Sequence, residues 1–170
     1  MRTQVQALFL IPALLLLTAL PAFAQDVVLA PSHCTPDEQT VFSCLTGSKG
    51  KVLSVCSSPD LYSEDAWLQY RFGRPGQVEM AYPQDLTAAM KAFDLEAYTR
   101  PLVSFARLHF SNKGVGYTVF DDYYAEDGTE EMDAGVRVTL EDGREVVVSC
   151  KPPWSSSLLD LTEVVAPAGQ

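Results

Sequence analysis

Residues 106–120 run Ala106-Arg107-Leu108-His109-Phe110-Ser111, then Asn112-Lys113-Gly114-Val115, then Gly116-Tyr117-Thr118-Val119-Phe120. Apolar and polar side chains alternate on both sides of a glycine-bearing turn, the pattern of a β-hairpin with one buried face. Pairing Phe110 with Tyr117 brings Leu108 opposite Val119 on that face. It sends His109 to the other face, opposite Thr118. The stretches 135–140 and 144–150 behave in the same way around Glu141-Asp142-Gly143. A two-residue Asp-Gly turn there would set Val136 opposite Ser149 and Leu140 opposite Glu145, mixing the faces. A three-residue turn with Gly143 as the left-handed bulge residue instead sets Val138 against Val146 and Val136 against Val148. Only the longer turn keeps one face apolar.

Two more hairpins lie upstream. Residues 67–72 and 78–82 flank Gly73-Arg74-Pro75-Gly76. Pairing Phe72 with Val78 gathers Leu68, Tyr70, Phe72, Val78, Met80 and Tyr82 on one face and sets Arg71 opposite Glu79 on the other. Residues 39–45 and 51–57 flank Gly47-Ser48-Lys49-Gly50. One segment departs from the alternation. In 86–97, Leu86, Met90, Phe93 and Ala97 fall on one helical stripe behind Asp85 as N-cap, which predicts a short helix. Residues 156–164 suit a final helical turn or an edge strand, and 166–170 a flexible tail. Strands at intervals of about ten residues predict a mainly β domain over 25–165, an antiparallel sandwich or barrel of about eight strands built from successive hairpins.

The chain has 170 residues, of which 47% are hydrophobic and 20% charged, with Lys+Arg 12 against Asp+Glu 22. This is the composition of one ordinary folded domain. The acidic balance argues against nucleic acid as a partner, since phosphates call for a cationic face. The first 24 residues read as a secretory signal. Arg2 supplies the positive start, 7–20 an apolar run, and Ala22-Phe23-Ala24 the A-x-A cleavage site. The run is shorter than the roughly 20 residues that cross a bilayer, so no stable membrane anchor is expected after cleavage. Losing the leader removes one arginine and no acid, taking the formal net charge from −10 to −11. The expected location is periplasmic or secreted.

Four cysteines, Cys34, Cys44, Cys56 and Cys150, lie in the exported part. An even number in an oxidising compartment predicts two disulfides; the spacings contain no C-x-x-C pair of the kind zinc sites use. If 39–45 pairs with 51–57, Cys44 faces a residue near Val52, and Cys56 lies roughly 13 Å away along the strands. A disulfide needs Cα atoms within about 7 Å. Cys44–Cys56 is thereby disfavoured, and Cys34 takes one of the two while Cys150 takes the other.

Chemistry-bearing motifs are scarce, and no catalytic residue, cofactor or metal is expected. Gly47-Ser48-Lys49-Gly50-Lys51 lacks the spacing of a phosphate-binding loop and sits between strands, so it is a hairpin turn. His109 reads as an exposed strand histidine; a general base would need an orienting acid. From Asp121 to Asp133 seven of thirteen residues are acidic: Asp121, Asp122, Glu126, Asp127, Glu130, Glu131 and Asp133. An EF-hand alignment around Asp127-Gly128 puts Tyr123 and Ala125 at ligand positions and Ala134 where the bidentate Glu belongs, so that loop type fails. A looser calcium loop is the minor alternative; a solvated acidic loop that discourages edge pairing, or a docking surface for a cationic protein, fits better.

Lys51-Val52-Leu53-Ser54-Val55-Cys56-Ser57-Ser58 followed by Leu68-Gln69-Tyr70-Arg71-Phe72-Gly73 resembles a group of small exported bacterial proteins. They share an F-S-C, V-C-x-S, Q-Y-R-F-G succession. The likeness spans about residues 41–82; it implies export and a β domain, and no mechanism. A fainter similarity points to the periplasmic inhibitors of C-type lysozymes. These are small disulfide-bonded β-barrels with an early aromatic-x-Cys and a Ser/Gly-rich hairpin, ending in Tyr, that enters the lysozyme cleft. Phe42-Ser43-Cys44 stands for the first feature and Ser111 to Tyr117 for the second, although the S-G-S-G core is absent and the intervening segment is too long.

The residues therefore describe an exported, non-enzymatic β domain that works by protein binding. The alternative is a periplasmic inhibitor of a lysozyme-type cell-wall hydrolase. In either case the expected partner is a cationic protein such as lysozyme. The candidate contact residues are Ser111, Asn112, Lys113 and Tyr117 on the hairpin, with Asp121, Asp122, Glu126 and Asp127 beyond it.

Overall fold

The computed structural model describes residues 30–47 and 49–169; the expected signal, 1–24, lies outside them. Ten strands form one sheet. In chain order they are β1 (Gln39–Thr46), β2 (Val52–Ser57), β3 (Leu68–Arg74), β4 (Gln77–Tyr82), β5 (Asp94–Arg100), β6 (Val103–Asn112), β7 (Val115–Tyr124), β8 (Glu131–Thr139), β9 (Glu145–Ser156) and β10 (Ala166–Pro167). Across the sheet the order is β10-β5-β6-β7-β8-β9-β1-β2-β3-β4. Every pairing is antiparallel except β10 with β5.

The expected closed sandwich or barrel of about eight strands is thus corrected to a single sheet curled into a half-barrel. β9 is the reason. Its first residues pair with β8, and from Cys150 onward it pairs with β1. One twelve-residue strand therefore chains the early and late hairpins together instead of leaving them as two sheets. The enclosed core runs across both groups: Phe42, Leu53, Val55, Leu68 and Tyr70 from the early strands meet Leu108, Phe110, Val119 and Val136 from the late ones.

Two hairpins have the registers expected from alternation. Phe110 pairs with Tyr117, Leu108 with Val119 and His109 with Thr118. Val138 pairs with Val146 and Val136 with Val148, with Gly143 at a φ of 80°. The β3–β4 hairpin differs. Phe72 pairs with Met80, and the register shifts at Gly73, which faces Val78. A Cβ on Gly73 would run into the Gln77 carbonyl oxygen and the Glu79 amide, so only glycine permits this close approach. The bulge turns Val78 outward, where it is 44% exposed. It also leaves Glu79 to Lys51 and Arg74 instead of Arg71.

The expected helix over 86–97 is corrected to a 3-10 turn, Ala89–Ala92, followed by β5. Ala88 sits in the left-handed region at φ 56°, which interrupts any helix begun at Leu86. Phe93, Leu95 and Ala97 also alternate; Phe93, just ahead of β5, and Leu95, paired with Leu108 of β6, are both buried, whereas the helical stripe leaves Leu95 out. A second 3-10 turn, Leu158–Glu163, drives Leu158 and Leu161 into the core. Beyond it, the first residues of the segment read as a tail pair with Asp94 and Leu95.

The disulfides are Cys34–Cys56 and Cys44–Cys150, and they fit an oxidising, non-cytoplasmic setting. Among the described residues no helix is long and apolar enough to cross a membrane. Cys34 belongs to a strap, residues 30–38, laid over the face of β1, β2 and β3 that points away from the core. Ser43 Oγ donates to the Pro31 carbonyl at 2.6 Å and the His33 amide to Ser54 Oγ at 3.0 Å. Arg71 donates to the His33 carbonyl at 2.9 Å and grips both Glu38 oxygens at 2.7 Å. All six residues of β2 are consequently buried.

The Arg71 guanidinium holds the Glu38 carboxyl below its ordinary value of 4.5, against the opposing effect of burial. A depressed acid contributes stability that is present above its unfolded pKa and lost as pH falls through the folded one. Glu38→Gln is expected to cost about 1–2 kcal/mol at neutral pH. The gap between wild type and variant should close as pH drops below 4.5. Thermal unfolding of both proteins across that range checks this; a gap that persists in acid would mean the charge of Glu38 is not what fastens the strap.

Candidate functional site

The β6–β7 turn consists of Lys113 and Gly114, both left-handed, at φ 51° and 80°. This two-residue geometry follows the twist of the flanking strands. Lys113 and Ser111 are exposed, and Asn112 is half-buried. Tyr117 is not at the tip. Its ring lies flat on Phe110, with centroids 4.8 Å apart and planes 4° apart, and meets Tyr70 at 6.1 Å. Alternation puts Tyr117 on the core face, so it packs inward.

The acidic stretch is not one loop. Asp121 and Asp122 are residues of β7, and Asp133 belongs to β8; only 125–130 form the turn. Both strands lie inside the sheet, so the segment guards no edge. All four candidate carboxylates here are engaged within the chain. Asp121 accepts from Trp154 Nε1 at 3.2 Å, Asp122 from Arg107 at 3.3 Å, and Glu126 from both Arg100 terminal nitrogens at 2.5 and 2.6 Å. Arg100 holds the Glu126 carboxyl below its ordinary range. Asp127 accepts from the Thr129 amide and closes the turn. Among the described residues the one convergence of three potential metal-ligand groups is Cys34, Glu38 and Cys56, whose two sulfurs are already bonded to each other.

His109 stands on the outer face of β6. Its Nδ1 is 3.0 Å from Thr118 Oγ1, and its Nε2 is 3.9 Å from Glu96 Oε2. Burial lowers its pKa, with Glu96 opposing. An acid does lie nearby, yet beyond hydrogen-bond reach, and Thr118 takes the other nitrogen.

The structure assembles a surface that no local sequence signal marks. The loop after β2, the segment after β4 and the second 3-10 turn meet around Tyr62. On one side a cleft of about 780 Å³ is walled by Leu61, Trp67, Leu86 and Met90, with Glu64 and Asp65 at its rim. On the other, a cleft of about 540 Å³ has Pro59 and Leu159 beside Asp60, Asp160 and Glu163. Tyr62, 71% exposed, forms the ridge between them. Its hydroxyl donates to Glu163 at 3.1 Å, and that carboxylate pushes the phenol pKa up.

The loop is held by its own bonds. Asp60 Oδ1 accepts from the Tyr62 amide at 2.9 Å, the Asp60 carbonyl accepts from both Ser58 and Ser63 hydroxyls, and Ser58 Oγ accepts from the Trp67 amide. The contributing segments are far apart in the chain, which is why reading along the sequence misses them. The chain matches no family model, no curated protein and no solved structure.

Proposed function

We propose that the protein is an exported, non-enzymatic β domain whose work is to bind a cationic protein. The observation that carries this is the uneven pairing of its charges. Arg71, Arg74, Arg100, Arg107, Arg137 and Arg144 all have carboxylate partners within the chain. The acidic excess therefore falls on other carboxylates, and those of the loop 59–67 and the second 3-10 turn stand on a scaffold tied by two disulfides. Fixed negative charge on a rigid surface raises the encounter rate with basic partners and selects against acidic ones.

The test is titration calorimetry of the exported, oxidised protein against a panel of basic proteins that includes a C-type lysozyme. At about 0.15 M salt, charges more than about 8 Å apart are screened. A stoichiometric complex that survives this salt is expected with at least one member. No complex with any member would overturn the proposal. Loss of lysozyme turnover at one-to-one ratio, relieved in Lys113→Glu, would assign the narrower role of lysozyme inhibitor through the β6–β7 tip. That role must then do without an inserted Tyr117, since its ring packs on Phe110.

A further inference from the structure

We infer that the paired clefts on either side of Tyr62 are where the cationic partner docks, and that they take a chain segment in which lysine or arginine side chains flank apolar ones. This rests on the cation-binding proposal above and adds to it a place and a side-chain pattern.

Two properties coincide at this site. The first is apolar surface that the fold leaves uncovered: Tyr62, the ridge itself, is 71% exposed, Leu159 in one cleft is 37% exposed, and Leu86 and Trp67 in the other are half-buried. The second is one-signed charge. Asp60, Glu64, Asp65, Asp160 and Glu163 line the clefts, and among the described residues the one cationic side chain lining them is Lys91.

Charge complementarity decides the occupant. An uncharged apolar ligand would cover carboxylates without compensating them, which costs free energy. An anionic surface, whether nucleic acid or acidic membrane, would meet like charge. A purely polar cation would gain nothing from Tyr62, Leu86 and Leu159. A segment that alternates basic and apolar side chains satisfies both properties, setting apolar groups against the walls and its cations at the rim. The hydrogen bonds within 58–67 and from Tyr62 to Glu163 order the loop beforehand, so little further ordering accompanies binding. Tyrosine on a fixed loop is a common anchor of binding energy.

The experiment is fluorescence anisotropy of the exported, oxidised protein with three labelled decapeptides, of alternating lysine–leucine, lysine–serine and glutamate–leucine, at about 0.15 M salt. The lysine–leucine peptide is expected to bind, the lysine–serine peptide at least about tenfold more weakly, and the glutamate–leucine peptide not at all. Tyr62→Ala and the double variant Asp65→Asn/Glu163→Gln should each weaken the lysine–leucine complex about tenfold. Glu130→Gln/Glu131→Gln, at the distant β7–β8 turn, should leave it unchanged. Tyr62→Phe keeps the ring and loses only the hydrogen bond to Glu163, so it should bind more tightly than Tyr62→Ala. A far-ultraviolet circular dichroism spectrum of Tyr62→Ala that matches wild type separates loss of binding from loss of fold.

Binding that ignores both cleft variants would overturn this site while leaving the broader proposal standing. Absence of binding by the lysine–leucine peptide, with basic proteins still captured, would overturn the side-chain pattern. If neither the peptide nor any basic protein binds, both proposals fail.

Discussion

Replacing Cys44 and Cys150 together by alanine is expected to remove about 4–5 kcal/mol of stability, and replacing Cys34 and Cys56 about 3 kcal/mol. The ranking comes from the chain length that each bond closes, 106 residues for the first and 22 for the second. A longer closed loop removes more freedom from the unfolded chain, so its loss favours unfolding more. Native placement adds to the difference. Cys44 is fully buried in β1, and Cys150 is the residue at which β9 leaves β8 and begins to pair with β1. The bond therefore rivets the early and late hairpins at β9–β1, their one strand-to-strand junction among the described residues.

Urea unfolding of the two double variants beside wild type measures both losses. Equal losses, or a larger one for Cys34 and Cys56, would show that the strap over β1–β3 contributes more than the junction does. The protease sensitivity of 30–38 separates the cases further, because only the second variant should release that segment while the sheet stays folded.

How far the sequence reaches is set by the range of the interactions that decide each feature. The β6–β7 and β8–β9 registers were legible because turn and strands lie within fifteen or so residues and agree with each other: Lys113-Gly114 and Gly143 supply the left-handed turns that the apolar alternation asks for. The β3–β4 register was not, because alternation alone aligns Phe72 with Val78, and the bulge that realigns it depends on backbone packing around Gly73. The segment 86–97 satisfies both a helical and a strand period; the free edge of β6 selects the strand, and that edge is a tertiary fact.

The disulfide pattern was narrowed by strand geometry, and the remaining choice is resolved by the strap, which carries Cys34 to Cys56. Of the candidate contact residues, Lys113 is exposed at the turn, whereas Tyr117, Asp121, Asp122, Glu126 and Asp127 have partners inside the molecule. The acid count of a segment says nothing about which carboxylates are already spent. The Tyr62 clefts depend on contacts among residues near 60, 88 and 161, and no window along the chain contains all three.

A half-barrel must keep its two edges from gaping, and here aromatic rings do so. β4 is the terminal strand of one edge, and β6 lies two strands in from the other. Tyr82 of β4 stacks on Phe110 of β6 with centroids 4.8 Å apart and planes at 14°, although the two strands share no ladder. Tyr117 stacks on Phe110 at 4.8 Å, Tyr70 meets it at 5.0 Å and Phe93 at 5.5 Å. Phe110 is thus the ring common to both lips of the opening.

Phe110→Ala is expected to cost about 3–5 kcal/mol, the usual loss when a buried phenylalanine is truncated. Phe110→Leu, which keeps more of the volume, should cost less. A double-mutant cycle between Phe110 and Tyr82 should show coupling of about 0.5–1.5 kcal/mol, the scale of a stacked pair beyond area burial. Coupling near zero would mean that the edges are held by the sheet's own curvature. The Tyr62 clefts do not include Phe110. Below its melting temperature a Phe110→Leu protein should accordingly bind the lysine–leucine peptide as wild type does. Loss of both stability and binding in that variant would show that seam and docking surface move together, making closure of the half-barrel a condition for recognition.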